Sequence, residues 1–281
     1  MDDERKTIKA DDYAEPRCPL SGETYGSHPD FIPVPQMRII EKMNEYMGRR
    51  DYEGAERHLK YWLTEALLGQ DRRGELMIRG ELIGHYRKTN NMRDALHEVD
   101  EVQRLIEEMD YGSSLSAGTA YVNAATACNA FGENDRSLQL FEKARSVYES
   151  SSQTDPGLLG GLYNNMGLVY ASLSRYKEAH ELYDLAMEMM RKCPSGEPEM
   201  AITCLNRADA LNAEYGMEES EKEIYALLDE ALDLLKNTKA PKDGYYAFVL
   251  EKCAPSFEFY GYFTDAEELK EEAESIYNGL L

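Results

Sequence analysis

Residues 160–191 read GGLYNNMGLVYASLSRYKEAHELYDLAMEMMR, and their spacing decides the fold. Before the polar break Leu173-Ser174-Arg175, the residues Tyr163, Met166, Gly167 and Tyr170 recur at i, i+3, i+4 and i+7. After it, Tyr176, Ala179, Tyr183, Ala186 and Met190 do much the same. Each set gathers apolar or small side chains on one face of a helix. Two such helices joined by a tight break make a helical hairpin.

The hairpin recurs. Shifted upstream by 42 residues, Tyr121, Ala124, Ala125 and Cys128, then Gly132, Leu138, Phe141 and Ala144, fill the same slots, and Leu205, Ala208 and Asp209 begin the next copy downstream. One slot early in each second helix, small in all units but one, marks the period: Ala55, Ala95, Ser137, Ala179, Ile224 and Ala266, at spacings of 40, 42, 42, 45 and 42. Near-constant spacing of this length is the mark of a solenoid. The pattern predicts an all-α, right-handed α-solenoid of about six hairpins over residues 36–281. Its helices are expected near 36–48 and 51–68, 71–88 and 91–110, 114–131 and 134–151, 155–173 and 175–192, 197–215 and 219–237, and 242–260 and 264–279. Pro255 falls inside one of them and is expected to kink it.

The slots W-x2-L-G-x2-Y and A-x3-F belong to the tetratricopeptide repeat (TPR) pattern. Residues 163–170, YNNMGLVY, with Ala179, Tyr183 and Ala186, resemble that pattern closely. The period of 42 is similar to the longer-helix variant found in kinesin light chains and many bacterial TPR proteins. Ser137 and Ile224 in the small-residue slot, and extra residues between Tyr215 and Glu223, depart from it. The resemblance implies a non-enzymatic scaffold or adaptor that binds a protein or an extended peptide in the concave groove lined by the first helices. A second implication is a bacterial cytosolic sensor of short signalling peptides, here without a DNA-binding domain of its own. An enzyme with an acidic groove site is the alternative from another class.

Residues 1–35 stand apart from the repeats. They hold Pro16, Pro19, Pro29, Pro33 and Pro35, half of the ten prolines, so they predict an arm without a long helix. The apolar run Phe31-Ile32-Pro33-Val34 is suited to packing on the first hairpin, as the terminal repeat of a solenoid needs a cap.

The net charge is -22, from 53 acidic and 31 basic residues. Such a surface repels phosphate backbones and anionic lipid, which argues against nucleic acid and membrane partners. No apolar run approaches the roughly 20 residues that span a bilayer, and the N-terminus MDDERKTIKADD lacks the apolar core of a secretory signal. Five cysteines, odd in number and without a CxxC pair, fit a reduced, cytoplasmic protein. The five histidines are dispersed, and no metal or cofactor motif is present, so no cofactor is expected.

The candidate binding residues lie on the expected inner face of the first helices. Asn123 and Asn165 are 42 residues apart, as are Asn164 and Asn206. An asparagine amide carries both donors and an acceptor, and so suits the backbone of an extended peptide. Related TPR proteins use such asparagines in that way, beside small residues such as Ala171, Ser172 and Ala210. With Arg87 and Arg207 as neighbouring cations, the expected ligand is an acidic or carboxylate-bearing peptide held by Asn123, Asn164, Asn165 and Asn206.

Overall fold

The computed structural model describes residues 32–279, and among them the chain forms twelve α-helices and no strand. The first-unit helices are α1 (Gln36–Gly48), α2 (Tyr52–Leu68), α3 (Arg72–Lys88), α4 (Met92–Glu108) and α5 (Leu115–Ala130). Next come α6 (Asn134–Ser150), α7 (Pro156–Ser172), α8 (Tyr176–Met190) and α9 (Glu197–Tyr215). The chain closes with α10 (Met217–Lys236), α11 (Gly244–Phe259) and α12 (Phe263–Tyr277). Each expected helix is present, and the fold is a helical-repeat solenoid.

The repeat is written into the backbone as well as the side chains. The turns inside the hairpins each carry a residue in the left-handed region, at Arg50, Asn90, Gly132, Ser174, Gly216 and Gly261. Their spacings are 40, 42, 42, 42 and 45. In five hairpins the small-slot residue follows that turn by five positions, as Ala179 follows Ser174. In the fifth hairpin the buried residue is Ile224, eight positions after Gly216, because α10 starts directly at Met217 and holds the inserted residues in its first turn. All six slot residues are fully buried. Ser137 is accommodated there because its hydroxyl donates to the Ala125 carbonyl at 2.8 Å.

Helix starts follow ordinary capping chemistry. Asp51, Asp71, Asn91, Ser114, Asp155 and Asp243 accept hydrogen bonds from backbone N–H groups of the first turn that have no partner within the helix. Asp71 does more, since its Oδ2 also accepts from the Val34 N–H at 2.9 Å and ties the segment before α1 to the start of α3. The N–H of Ile32 donates to the Gly69 carbonyl at 2.8 Å, and Val34 is buried. Ile32 itself is 48% exposed, so of the described part of the apolar run only Val34 is buried in the core; residues 1–31, with Cys18 and His28, lie outside the described residues. α11 runs through Pro255 as one helix. The proline is exposed, so the carbonyl left without a donor is on the side that water can reach.

The chain divides into two compact units, one ending at Leu140 and one beginning at Phe141. In the first, Ile39, Leu59, Trp62, Ile78, Leu82 and Tyr86 form the core, and Arg79 is buried between α3 and α4 among Glu75, Glu98 and Glu101. In the second, Leu205, Ile224, Leu228, Leu250, Phe257 and Leu269 form the core of α9 to α12. Between α7 and α8 the chain needs Gly167, because a Cβ there would stand 2.5 Å from the ring of Tyr183. The glycine permits the close approach of the two helices.

Candidate functional site

In the first unit the first helices α3 and α5 face each other across a recess of about 450 Å³ that also touches the start of α1. Gly80 leaves its floor open, and Glu81, Asn123, Arg73 and Tyr111 stand in its walls. The Arg73 guanidinium lies 5.5 Å from the centre of the Tyr111 ring, a cation–π contact. Asn123 is half-buried and makes no hydrogen bond among the described residues, so both ends of its amide are available to a ligand. Glu81 is half-buried too, and the loss of water around it pushes its carboxyl pKa up.

Arg87 sits in the last turn of α3 with His85 and Lys88, where positive charge complements the helix dipole. Its side chain is open to solvent, yet enough protein surrounds it that desolvation lowers its pKa. No ion-pair partner for it exists among the described residues.

The second unit treats the remaining asparagines in two ways. Asn164 is only 3% exposed, and its Oδ1 accepts from Nδ2 of Asn206 at 3.0 Å. The 42-residue spacing of this pair is therefore the trace of a contact that clasps α7 to α9. Asn165, one position on, is half-buried and unpaired among the described residues. Of the asparagine amides singled out in the sequence, Asn123 and Asn165 stay open, while Asn164 and Asn206 are bonded to each other.

Arg207 is also committed. Its guanidinium donates to Asp184 of α8 at 2.7 Å, in a recess of about 330 Å³ lined by α8, α9 and α10. It turns toward the second helices, away from the asparagine clasp, because successive residues of a helix point 100° apart. The expected preference for acidic ligands thus loses one of its two cations.

The side chains that were missed lie on the Asn206 face of α9. Glu199, Ile202, Asn206 and Asp209, at i, i+3, i+7 and i+10, share that face. Asp209 accepts from the hydroxyl of Tyr260, the residue that ends α11, at 2.8 Å. The side chain is partly open to solvent, but neighbouring protein strips enough water from the carboxyl to push its pKa up, outweighing the hydrogen bond that lowers it. Glu199 is pushed up in the same way, with Lys252 as a weaker opposing charge, and it stands in the wall of a recess of about 560 Å³ with Gly157, Gly161, Cys193 and Tyr245. Neither carboxylate has a cation bonded to it among the described residues. The Tyr183 hydroxyl is buried without a hydrogen-bond partner, and Asp209 is the charge it feels. The only sequence signal for this set was acid at helical spacing, which an acidic chain produces everywhere.

Burial pushes the thiols of Cys128 to about 11 and of Cys204 and Cys253 to about 12, so they are protonated at neutral pH and poor nucleophiles. Among the described residues no group of three or more His, Cys, Asp and Glu is arranged to hold a metal, and no helix is long and apolar enough to cross a membrane.

Residues 160–192 match the tetratricopeptide repeat family. No curated protein sequence matches the chain. Among solved structures it is similar to BtubC (BKLC) from P. vanneervenii, at 18% identity and a TM-score of 0.60, with 70% of this chain and 78% of that one covered. It is similar also to aspartyl phosphate phosphatase F from Bacillus subtilis, at 12% identity and a TM-score of 0.55, with 86% of this chain and 59% of that one covered. At these identities the likeness is one of fold, and the fold is the TPR-like helical solenoid.

Proposed function

We propose that this chain is a non-catalytic protein- or peptide-binding module that takes an extended segment of its partner on the first-helix face of its repeats. The observation that carries the reading is an open amide on a first helix of each unit taken by itself, Asn123 beside a recess of about 450 Å³ in the first and Asn165 one position from the buried clasp in the second. Asparagine is a poor residue for a helix interior, so two of them left unbonded on half-buried faces are costly to the fold and useful to a ligand. An amide pairs with a peptide N–H and C=O alike and holds a backbone whatever its side chains. The proposed setting is the cytoplasm, where the buried, unpaired thiols stay reduced.

The test is selection of displayed random decapeptides on the whole chain, followed by calorimetry of the selected sequences on the wild type, Asn123→Ala and Asn165→Ala. Loss of a hydrogen bond to a buried peptide group is expected to weaken binding by about 1–3 kcal/mol. Undiminished affinity in both variants would move the binding surface off this face.

A further inference from the structure

The recess of about 450 Å³ between α3 and α5 carries opposite charges at its two ends. At one end stands Arg73, whose guanidinium is held 5.5 Å from the centre of the Tyr111 ring and has no ion-pair partner among the described residues. Arg72 beside it is paired, with Glu75 and Glu108. Stacking on a ring holds the plane of a guanidinium and leaves its N–H edge free to take a carboxylate. At the other end Glu81, half-buried, has neither a hydrogen bond nor an ion pair among the described residues. The open amide of Asn123 is its neighbour across the recess: Nδ2 lies 3.6 Å from the place that a Cβ on Gly80 would take. Along α3, the rise from Arg73 to Glu81 is about 12 Å. The recess therefore fits a ligand with a cation and an anion about that far apart, and with a peptide group next to the cation.

We propose that this recess takes the free N-terminus of a partner protein, with the α-ammonium at Glu81, the first peptide group on the amide of Asn123, and an aspartate or glutamate at position four on Arg73. The inference rests on the reading of the first-helix face as a peptide site and adds which end of the partner is read. A chain terminus carries its ammonium right beside its first peptide group, as the closeness of Glu81 and Asn123 requires, whereas a lysine holds its ammonium at the end of a four-carbon stem. Capture of a terminal amine is a recurring way of recognising a peptide. An extended segment rises about 3.3 Å per residue, so the fourth residue stands about 10 Å from the first and its side chain reaches Arg73. Residues two and four point to the same side, which lays residue two over Met77, about one helical turn from each of the two charges. The acid expected of the ligand is thus met by Arg73 in place of Arg207, which Asp184 already holds.

The test selects random decapeptides with free N-termini on the whole chain. Synthetic copies of the winners, with the terminus free or acetylated, are then measured on the wild type, Glu81→Gln, Arg73→Gln and Asn123→Ala. The expected result is enrichment of Asp or Glu at position four and a loss of about tenfold in affinity on acetylation, which removes the terminal charge. In Glu81→Gln the free and acetylated forms should bind alike, and Arg73→Gln should remove the preference for an acid at position four. Neither Glu81 nor Arg73 is hydrogen-bonded or ion-paired to another side chain among the described residues, so both variants are expected to keep the helical circular dichroism of the wild type. Winners that bind as well acetylated as free, and are indifferent to Glu81→Gln yet weakened by Asn123→Ala, would overturn the N-terminal ligand and leave the peptide face standing. Failure to select any peptide, or binding untouched by these variants and by Asn165→Ala, would overturn both.

Discussion

Ala179 and Asp209 show at the residue scale how differently this fold uses its positions. Ala179 is fully buried where α8 meets α7, with Tyr183 one turn on. Ala179→Glu would add both volume and an unpaired charge there, and is expected to cost on the order of 3 kcal/mol or more. Urea denaturation measures it, and an unchanged midpoint would mean that the slot is not a helix contact. Asp209 is the reverse case, a residue whose native form works against stability. Its carboxyl, like those of Glu81 and Glu199, has a pKa raised by loss of water. A carboxyl with a higher pKa in the folded than in the unfolded state favours folding below the unfolded value, and that contribution is lost as pH rises through the folded value. At neutral pH the ionised Asp209 is therefore a liability. Asp209→Asn is expected to melt at a higher temperature than the wild type at pH 7, with the advantage fading toward about pH 4, near the ordinary value of 3.8. Scanning calorimetry at both pH values decides it; an equal or lower melting temperature at pH 7 would show a well-solvated carboxylate.

At the scale of elements, apolar faces account for most of the packing, but α3 and α4 are also joined through a buried charge. Arg79 on α3 donates to Glu75 at 2.9 Å and to Glu98 of α4 at 2.6 Å, and lies 3.4 Å from Glu101. Burial works against the guanidinium charge, yet the bonds and charges of Glu98 and Glu75 outweigh it and raise its pKa. Such a network is weak evidence for net stability, but breaking it from one side leaves its other charges buried. Arg79→Met is expected to cost about 3–5 kcal/mol, whereas the triple change with Glu75→Gln and Glu98→Gln should recover much of that loss. Thermal melts of the two variants test this, and equal losses in both would show that the packing of the arginine stem, not the charge, is what matters.

Across the whole molecule, 53 acidic residues face 31 basic ones. Ion pairs such as Arg57 with Glu53 and Arg145 with Glu149 join exposed neighbours on one helix, and pairs of that kind offset little of the general repulsion. Raising ionic strength from about 0.05 M to about 0.5 M shortens the reach of that repulsion several-fold. The melting temperature is expected to rise with added sodium chloride, and differential scanning fluorimetry across the series checks it. A fall would mean that the exposed pairs contribute more than the excess charge costs.

The sequence by itself determined the fold: helix spacing, turn residues and the slot running from Ala55 to Ala266 all act locally, and each repeat restates the same instruction. Even the insertion before Ile224 was legible as a change of period. Which polar side chain on a helix stays free was decided only by the tertiary structure. Asn164 and Asn165 are adjacent in the chain and carry the same amide, yet one is bonded to Asn206 and the other is open. Arg207 could serve a ligand or Asp184, and the position of α8 gives it to Asp184. Asp209 reads as one acid among many until the tertiary structure brings Tyr260, just past the end of α11, to donate to it at 2.8 Å. Periodicity is a property of one helix and survives in sequence, whereas pairing and desolvation depend on what the neighbouring helices bring, which no single helix encodes.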